Sequence, residues 1–245
     1  MNKQSNTYTI IYIVIVVLVV GSLLALTAMS LKDRQTDNAN ADKMRQILMS
    51  VRVPVEDNKV IDSFNSHITE MLVVDSEGNT VKKAEGFDAE IFNIDIAKQS
   101  KLPASERELP VFVCKTDNAG IKYILPVSGA GLWGPIWGYI SVDTNGSTIY
   151  GAYFSHQGET PGLGAEIENL SFQERFNGLN LLKEGNFYPI EIIKTEADSL
   201  KNQVQGVSGG TITSKGVGEM VDNCLAPYTK YLDSLAQKSS NSNKQ

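Results

Sequence analysis

Residues 111–154 read VFVCKTDNAGIKYILPVSGAGLWGPIWGYISVDTNGSTIYGAYF, and this stretch decides the fold class. Branched and aromatic residues come in short runs, VFVCK, KYILPV, GYISVD and STIYGAYF, each bounded by turn formers. Such side chains pack well on a pleated surface, so each run is expected to be a strand. Asp117-Asn118-Ala119-Gly120 supplies one turn and Thr144-Asn145-Gly146 another. Asn-Gly is the strongest short-range hairpin signal, because both residues tolerate positive φ. Upstream, Ile68 to Val74 reads as a strand that turns through Ser76-Glu77-Gly78-Asn79 into Val81. Residues 82–108 are charged and weakly periodic and give no assignable pattern. Downstream, Ser171 to Phe176 reads as a short helix and Tyr188 to Lys194 as another strand. A last helix is expected from Ser214, a good N-cap. It sets Val217, Val221, Cys224, Leu225, Tyr228 and Leu232 on one face and bends at Pro227. Helix, β-rich middle, helix is the order of an α+β fold with a largely antiparallel core and flanking helices, not of βαβ units.

Ahead of this region, Ile10 to Leu31 runs 22 residues without a charge. As a helix that is roughly 33 Å, enough for a hydrocarbon core of about 30 Å. A cleaved signal peptide has a shorter apolar core, more basic residues before it and a small residue at −3. Only Lys3 precedes this core, and Leu26-Thr27-Ala28 puts Leu at −3, so the segment reads as an uncleaved anchor. Lys3 on one side nearly balances Lys32 and Arg34 on the other, so flanking charge barely sets the topology. Residues 35–50 place Ala41, Met44, Ile47 and Leu48 on one face of a short amphipathic helix that Pro54 ends. The expected organisation is 1–34 as amino terminus and anchor, 35–237 as a soluble domain, and 238–245 as a polar, disordered tail.

The chain carries 22 basic and 28 acidic residues. Without residues 1–34 the remainder holds 19 and 27, a net of −8, which argues against a nucleic-acid partner. Two cysteines, Cys114 and Cys224, and two histidines, His67 and His156, exclude a disulfide framework, a four-cysteine zinc site and an iron–sulfur cluster held by this chain alone. No metal site is expected. Both cysteines sit in apolar patterns that suit buried free thiols, the alternative in an oxidising compartment being a disulfide between them.

Three segments stand out. Ser128 to Tyr139 contains Gly129-x-Gly131-x-x-Gly134, but Pro135 and a strand follow where a dinucleotide fingerprint needs a helix. Either Trp133 and Trp137 pack in the core, or an exposed tryptophan forms an aromatic wall beside a planar ligand. His156 to Glu166 is a tight loop in which His156 and Glu159 make an acid–base pair on residue type, or simply cap the loop's own backbone. Gly206 to Ser214 runs small residues into the last helix, with Lys215 next. It is either a phosphate seat or a flexible turn before an N-cap, and it lacks P-loop order.

Taken together, GLWGPIWGY at 131–139, HQGETPGLGAEI at 156–167 and SGGTITS at 208–214 closely resemble the NqrC family of the Na+-translocating NADH:quinone reductase, in the same order and over essentially the whole chain. The last segment also resembles the flavin-carrying G component of the related Rnf complex. The resemblance implies FMN joined through its phosphate to Thr211, in an attachment loop of Ser208, Gly209, Gly210, Thr213 and Ser214. It further implies flavin contacts from Trp133, Glu159, Thr160, Gly162, Leu163 and Gly164, with Thr213 serving the helix as a cap. Gly210, a smaller residue, stands where the family has alanine and is expected to leave access open. Gln205 stands where the flavin-transfer signature often has an acid. Implied partners are the other subunits of a membrane complex, a flavin transferase for maturation, and the bilayer through residues 10–31. Implied activity is electron relay from NADH toward ubiquinone or menaquinone, coupled to Na+ export, in a bacterial inner membrane with the soluble domain periplasmic. The competing readings are an Rnf-type subunit and a flavin-free, membrane-tethered assembly or binding module.

Overall fold

The computed structural model describes residues 6–242, and the chain divides into two compact units between Lys43 and Met44. Lys3 and residues 243–245 lie outside the described part. Helix α1 (Asn6–Ser50) runs through the division as one continuous helix. Within the first unit its apolar stretch is exposed on every side, with no residue from Ile10 to Leu31 buried. An all-round apolar helix that the protein leaves uncovered is suited to lipid. Two of its hydroxyls are satisfied internally: Thr27 Oγ1 donates to Leu23 O at 2.8 Å and Ser30 Oγ to Thr27 O at 2.9 Å.

The second unit opens with the last turns of α1, which bury Met44, Ile47 and Leu48 as the expected apolar face. There follow α2 (Val60–His67), β1 (Ile68–Val74), β2 (Thr80–Glu85), the one-turn helices α3 (Ala89–Phe92) and α4 (Ile96–Gln99), then β3 (Leu109–Thr116), β4 (Gly120–Ala130), β5 (Pro135–Val142) and β6 (Ile149–His156). After these come α5 (Leu170–Gln173), the short strands β7 (Leu182–Lys183), β8 (Asn186–Phe187), β9 (Glu191–Ile193) and β10 (Gln203–Gln205), and the helices α6 (Thr211–Leu225) and α7 (Thr229–Ser242). Six strands form one antiparallel sheet in the order β2-β1-β3-β4-β5-β6. The fold is α+β, as the order of patterns predicts.

Both faces of the sheet are covered, which is why β1 and β3 read as near-continuous apolar runs. Leu72, Val74, Leu109, Val111 and Val113 face the main core, where Val217, Val221, Cys224, Leu225, Tyr228 and Leu232 of the last helices are all buried. Met71 alternates to the other face, where it accepts a hydrogen bond from Asp88 N just ahead of α3. Phe154, Phe172 and Phe176 close the core beneath α5, with ring centroids 4.9–6.1 Å apart. At one end of the sheet two turns press on α7. A Cβ on Gly78 (φ +83) would stand 2.9 Å from the Lys230 carbonyl carbon, and one on Gly146 (φ +65) 2.0 Å from Leu232 O. Only glycine meets both demands.

Cys114 and Cys224 are buried and unpaired. Burial pushes the Cys114 thiol up to about 12 and raises that of Cys224, which exchanges hydrogen bonds with the backbone of Ser128.

Four expectations are corrected. The hairpin joins β5 to β6 where Asn145-Gly146 puts it, but without paired positive φ: only Gly146 is left-handed, and Asn145 Oδ1 accepts from Ser147 N and Thr148 N. Of 188–194 only Glu191–Ile193 is strand, because it pairs parallel with the distant β10 over just three residues. The last helix starts at Thr211, with Gly210 in the cap position and Ser214 already inside the first turn. Past Lys238 the chain stays helical to Ser242, carried on from the turns that bury Leu232 and Leu235. Near Pro227 a 3-10 turn, Ala226–Tyr228, separates α6 from α7, as the bend requires.

Asn202 anchors the approach to α6. It is buried with φ 56, a conformation asparagine tolerates. Its Nδ2 donates to the carbonyls of Asn180, Tyr188 and Pro189, each at 3.0 Å, and its Oδ1 accepts from Asn180 N. Asn202→Ala strands these buried groups. It is expected to cost about 2–4 kcal/mol and to lower the thermal midpoint of the full chain in detergent by several degrees.

Candidate functional site

The three singled-out segments meet around one carboxylate. The β4–β5 hairpin turns through Gly131–Gly134, closed by Gly131 N donating to Gly134 O at 2.8 Å. β6 leads into the loop of Thr160–Gly164, in which Thr160 O accepts from Leu163 N and Ala165 N. Residues 206–210 lead into α6. Glu159, only 5% exposed, accepts from Trp133 N at 2.8 Å through Oε1 and from Thr213 Oγ1 at 2.6 Å through Oε2. One side chain thus ties all three loops.

The neighbouring glycines are explained by that carboxylate. A Cβ on Gly131 would stand 2.4 Å from Glu159 Oε1, and one on Gly164 2.3 Å from Oε2. Burial pushes the Glu159 carboxyl upward, but the Thr213 hydroxyl and the amides of Trp133 and Leu132 outweigh it and hold the group below its ordinary value of 4.5. His156 is not the partner in an acid–base pair: its Nδ1 accepts from Glu159 N at 3.1 Å, capping the loop's own backbone.

The loop ahead of α6 is held as firmly. Ser214 Oγ accepts from Val207 N at 2.9 Å, Gly210 N donates to Val207 O, and Ser214 N to Gly210 O. Ser214 is therefore a hook for the loop and not the helix cap, and Thr213 is bound to Glu159 and not to the helix end. Gly210 packs on the Leu163 carbonyl, 2.9 Å from where a Cβ would stand, and on Val207. The alanine found at this position in the resembled family would need Leu163 to give way, so the small residue is a packing matter and not one of open access.

Thr211, the first helical residue, is half-buried on a ridge between two cavities. One, of about 210 Å³, is walled by Trp133, Glu159, Thr160, Leu163, Gly164 and residues 209–213. The other, of about 260 Å³, holds Ser208, Ser214, Val207 and Ile192, with Lys194 and Lys215 at its edge. Five of the six expected contact residues line the first cavity. Gly162 does not; it serves the turn, with φ +76 and its N–H donated to Glu166 Oε1 at 3.0 Å.

Trp133 is 70% exposed, so it is a wall and not core, while Trp137 donates its Nε1–H to Gln46 Oε1. Leu132 and Ile212 also line the cavity and were not singled out from sequence. Ile212 offered one signal, an apolar residue about opposite Val221 on an otherwise amphipathic helix. With Leu163 they give the cavity an exposed apolar rim.

Flat apolar walls, a few polar groups and a threonine hydroxyl on the lip suit a planar heterocycle carrying a phosphate. This is the arrangement of an FMN-binding domain, and the family model of that description matches residues 131–226. The NqrC subunit of the Na+-translocating NADH-quinone reductase from Vibrio campbellii is 33% identical over 88% of this chain and 89% of its own. Its Pseudomonas aeruginosa counterpart is 33% identical over 90% of this chain and 91% of its own. The crystal structure of the same subunit from Parabacteroides distasonis is 44% identical, covers 82% of this chain and 96% of its own, and superposes with a TM-score of 0.73. A Shewanella oneidensis NqrC structure, 22% identical with a TM-score of 0.63, shares the fold. The chain belongs to the NqrC family of Na+-translocating NADH-quinone reductase subunits.

Glu159→Gln leaves one of the two donors without an acceptor. In the native chain the carboxylate's contribution is present above its ordinary value of 4.5 and is lost as pH falls through its lower folded value. The protection of the Trp133 amide against hydrogen exchange, taken relative to the intrinsic rate at each pH, should therefore fall on acidification from neutrality to about pH 3. In the variant that protection should be lower by about tenfold at neutral pH and should lose its dependence on pH.

Proposed function

We propose that this chain is a membrane-anchored electron-transfer subunit that carries FMN covalently, as a phosphodiester to Thr211. It relays electrons from NADH toward ubiquinone or menaquinone in a complex that couples the transfer to Na+ export. The observation that carries the reading is the position of Thr211, which stands where an apolar-walled cavity and a lysine-edged cavity meet.

Bound there, FMN supplies an acceptor and donor of one or two electrons. The chain's residues do the rest. Trp133 and Leu163 offer faces for an aromatic ring, and Thr160 with nearby backbone N–H groups suits its polar edge. A phosphodiester keeps about one negative charge, which the N-terminus of α6 favours by roughly 0.3–1 kcal/mol. Lys215 follows one turn later on the same helical face, and Lys194 edges the same cavity. The cavity of about 210 Å³ is below the roughly 300–1,000 Å³ of enclosing ligand pockets. A flavin held there would keep an edge at the exposed rim of Leu132, Trp133, Leu163 and Ile212 and would supply electron exchange with a centre in another subunit. Sites for NADH and for quinone belong to those other subunits.

Peptide mass mapping of protein from its native host tests the attachment. The tryptic peptide Asn202–Lys215 is expected to gain the mass of FMN less one water, and denatured protein to keep flavin fluorescence. Thr211→Ala abolishes both. Fluorescence retained in that variant would move the attachment elsewhere.

On the same reading the second unit lies on the periplasmic side of the inner membrane, with Lys3 in the cytoplasm. Protease added to right-side-out spheroplasts is expected to digest it; protection of the unit reverses the topology.

A further inference from the structure

Between β10 and α6 the residues that lead to Thr211 have no sheet partner beyond Gly206, whose N–H donates to Ile193 O at 2.8 Å. A residue from outside the three motifs holds them instead. Arg175, in the turn after α5, donates through one terminal nitrogen to Gln205 O at 2.6 Å, with Gly206 O at 3.5 Å. Its Nε–H donates to Ser171 O at 3.0 Å, and the guanidinium lies 5.8 Å over the ring of buried Phe172. Stem and head are thus both fixed before the loop is met. In a chain with 28 acidic residues, this exposed arginine makes no ion pair among the described residues and spends its donors on backbone carbonyls. Ser214 Oγ accepts from Val207 N as well, so the backbone from Gln205 to Val207 is tied to two side chains from outside it.

We propose that Arg175 is a positioning residue for the modification of Thr211. It holds the loop in the form that the flavin transferase receives, so flavin is added to a domain that has already folded. The inference rests on the attachment reading above. The step it serves is a phosphoryl transfer without redox change. Thr211 Oγ1 bonds to the phosphorus of a flavin whose phosphate is part of an anhydride, as in a flavin dinucleotide. The anhydride P–O bond breaks, the adenylate leaves, and the hydroxyl proton passes to a base on the transferase. Free FMN would have to expel water into water, so the donor is an activated one. An acceptor hydroxyl must be held close to its line of attack, and a displaced loop loses rate without losing the hydroxyl.

The test uses the full-length apo-chain in detergent, flavin adenine dinucleotide as donor and the host's flavin transferase, with bound flavin followed by intact mass. Arg175→Met keeps the stem on Phe172 and removes the donors; Arg175→Lys restores one charged donor. The Met variant is expected to show about a tenfold lower kcat/KM as acceptor, the loss of one charge-assisted hydrogen bond, and the Lys variant a partial recovery. Both should melt with the native chain, because the side chain is exposed. Equal rates in all three, or rates that simply follow melting temperature, overturn the proposal while leaving Thr211 as the acceptor. A native chain that takes no flavin overturns the attachment reading, and this inference with it.

Discussion

A single buried carboxylate governs the arrangement of this domain's working end. Glu159 accepts from the backbone of one loop and from a hydroxyl of another while standing in a third. Charge-assisted hydrogen bonds of this kind are about twice as strong as neutral ones, and more so away from water. They also constrain what surrounds them. Gly131 and Gly164 have no space for a side chain because the carboxylate oxygens occupy it. Glycines that look like flexible turn residues are here the means of seating a charge between three chain segments.

The sheet behind the loops was readable from the chain because its strands bury alternating faces and are joined to sequence neighbours. Ile68–Val74 falls where the pattern puts it. What the pattern does not contain is interaction at long range or on a very short scale. β9 is three residues long and exists through β10. The helices α3 and α4 have four residues each, too few for a period, and are set by Asp88 and Asp95 accepting from Ile91 N and Lys98 N. Ser214 has the chemistry of a cap, but Val207 N claims its oxygen, which moves the helix start to Thr211.

The candidate site follows the same division. Trp133, Thr160, Leu163 and Thr211 were legible because each is a distinctive side chain among glycines. Glu159 was legible as a member but not as the link, since which donors it meets depends on two segments remote in sequence. Arg175 left no local trace at all. Its contacts are with Phe172 beneath it and with carbonyls 30 residues away, and backbone carbonyls carry no sequence signature.

The two buried cysteines give the chain a property of a different kind. Thiols react as thiolates, and burial both raises the two thiols above their ordinary range and shields them from solvent. Native sulfur is therefore silent toward alkylating reagents and toward exchange with disulfides while the domain is folded. A cysteine introduced on the surface becomes the sole reporter for spin labels or cross-linkers, with no need to strip the natural ones. Conversely, a burst of native thiol reactivity is a direct chemical clock for the opening of the core.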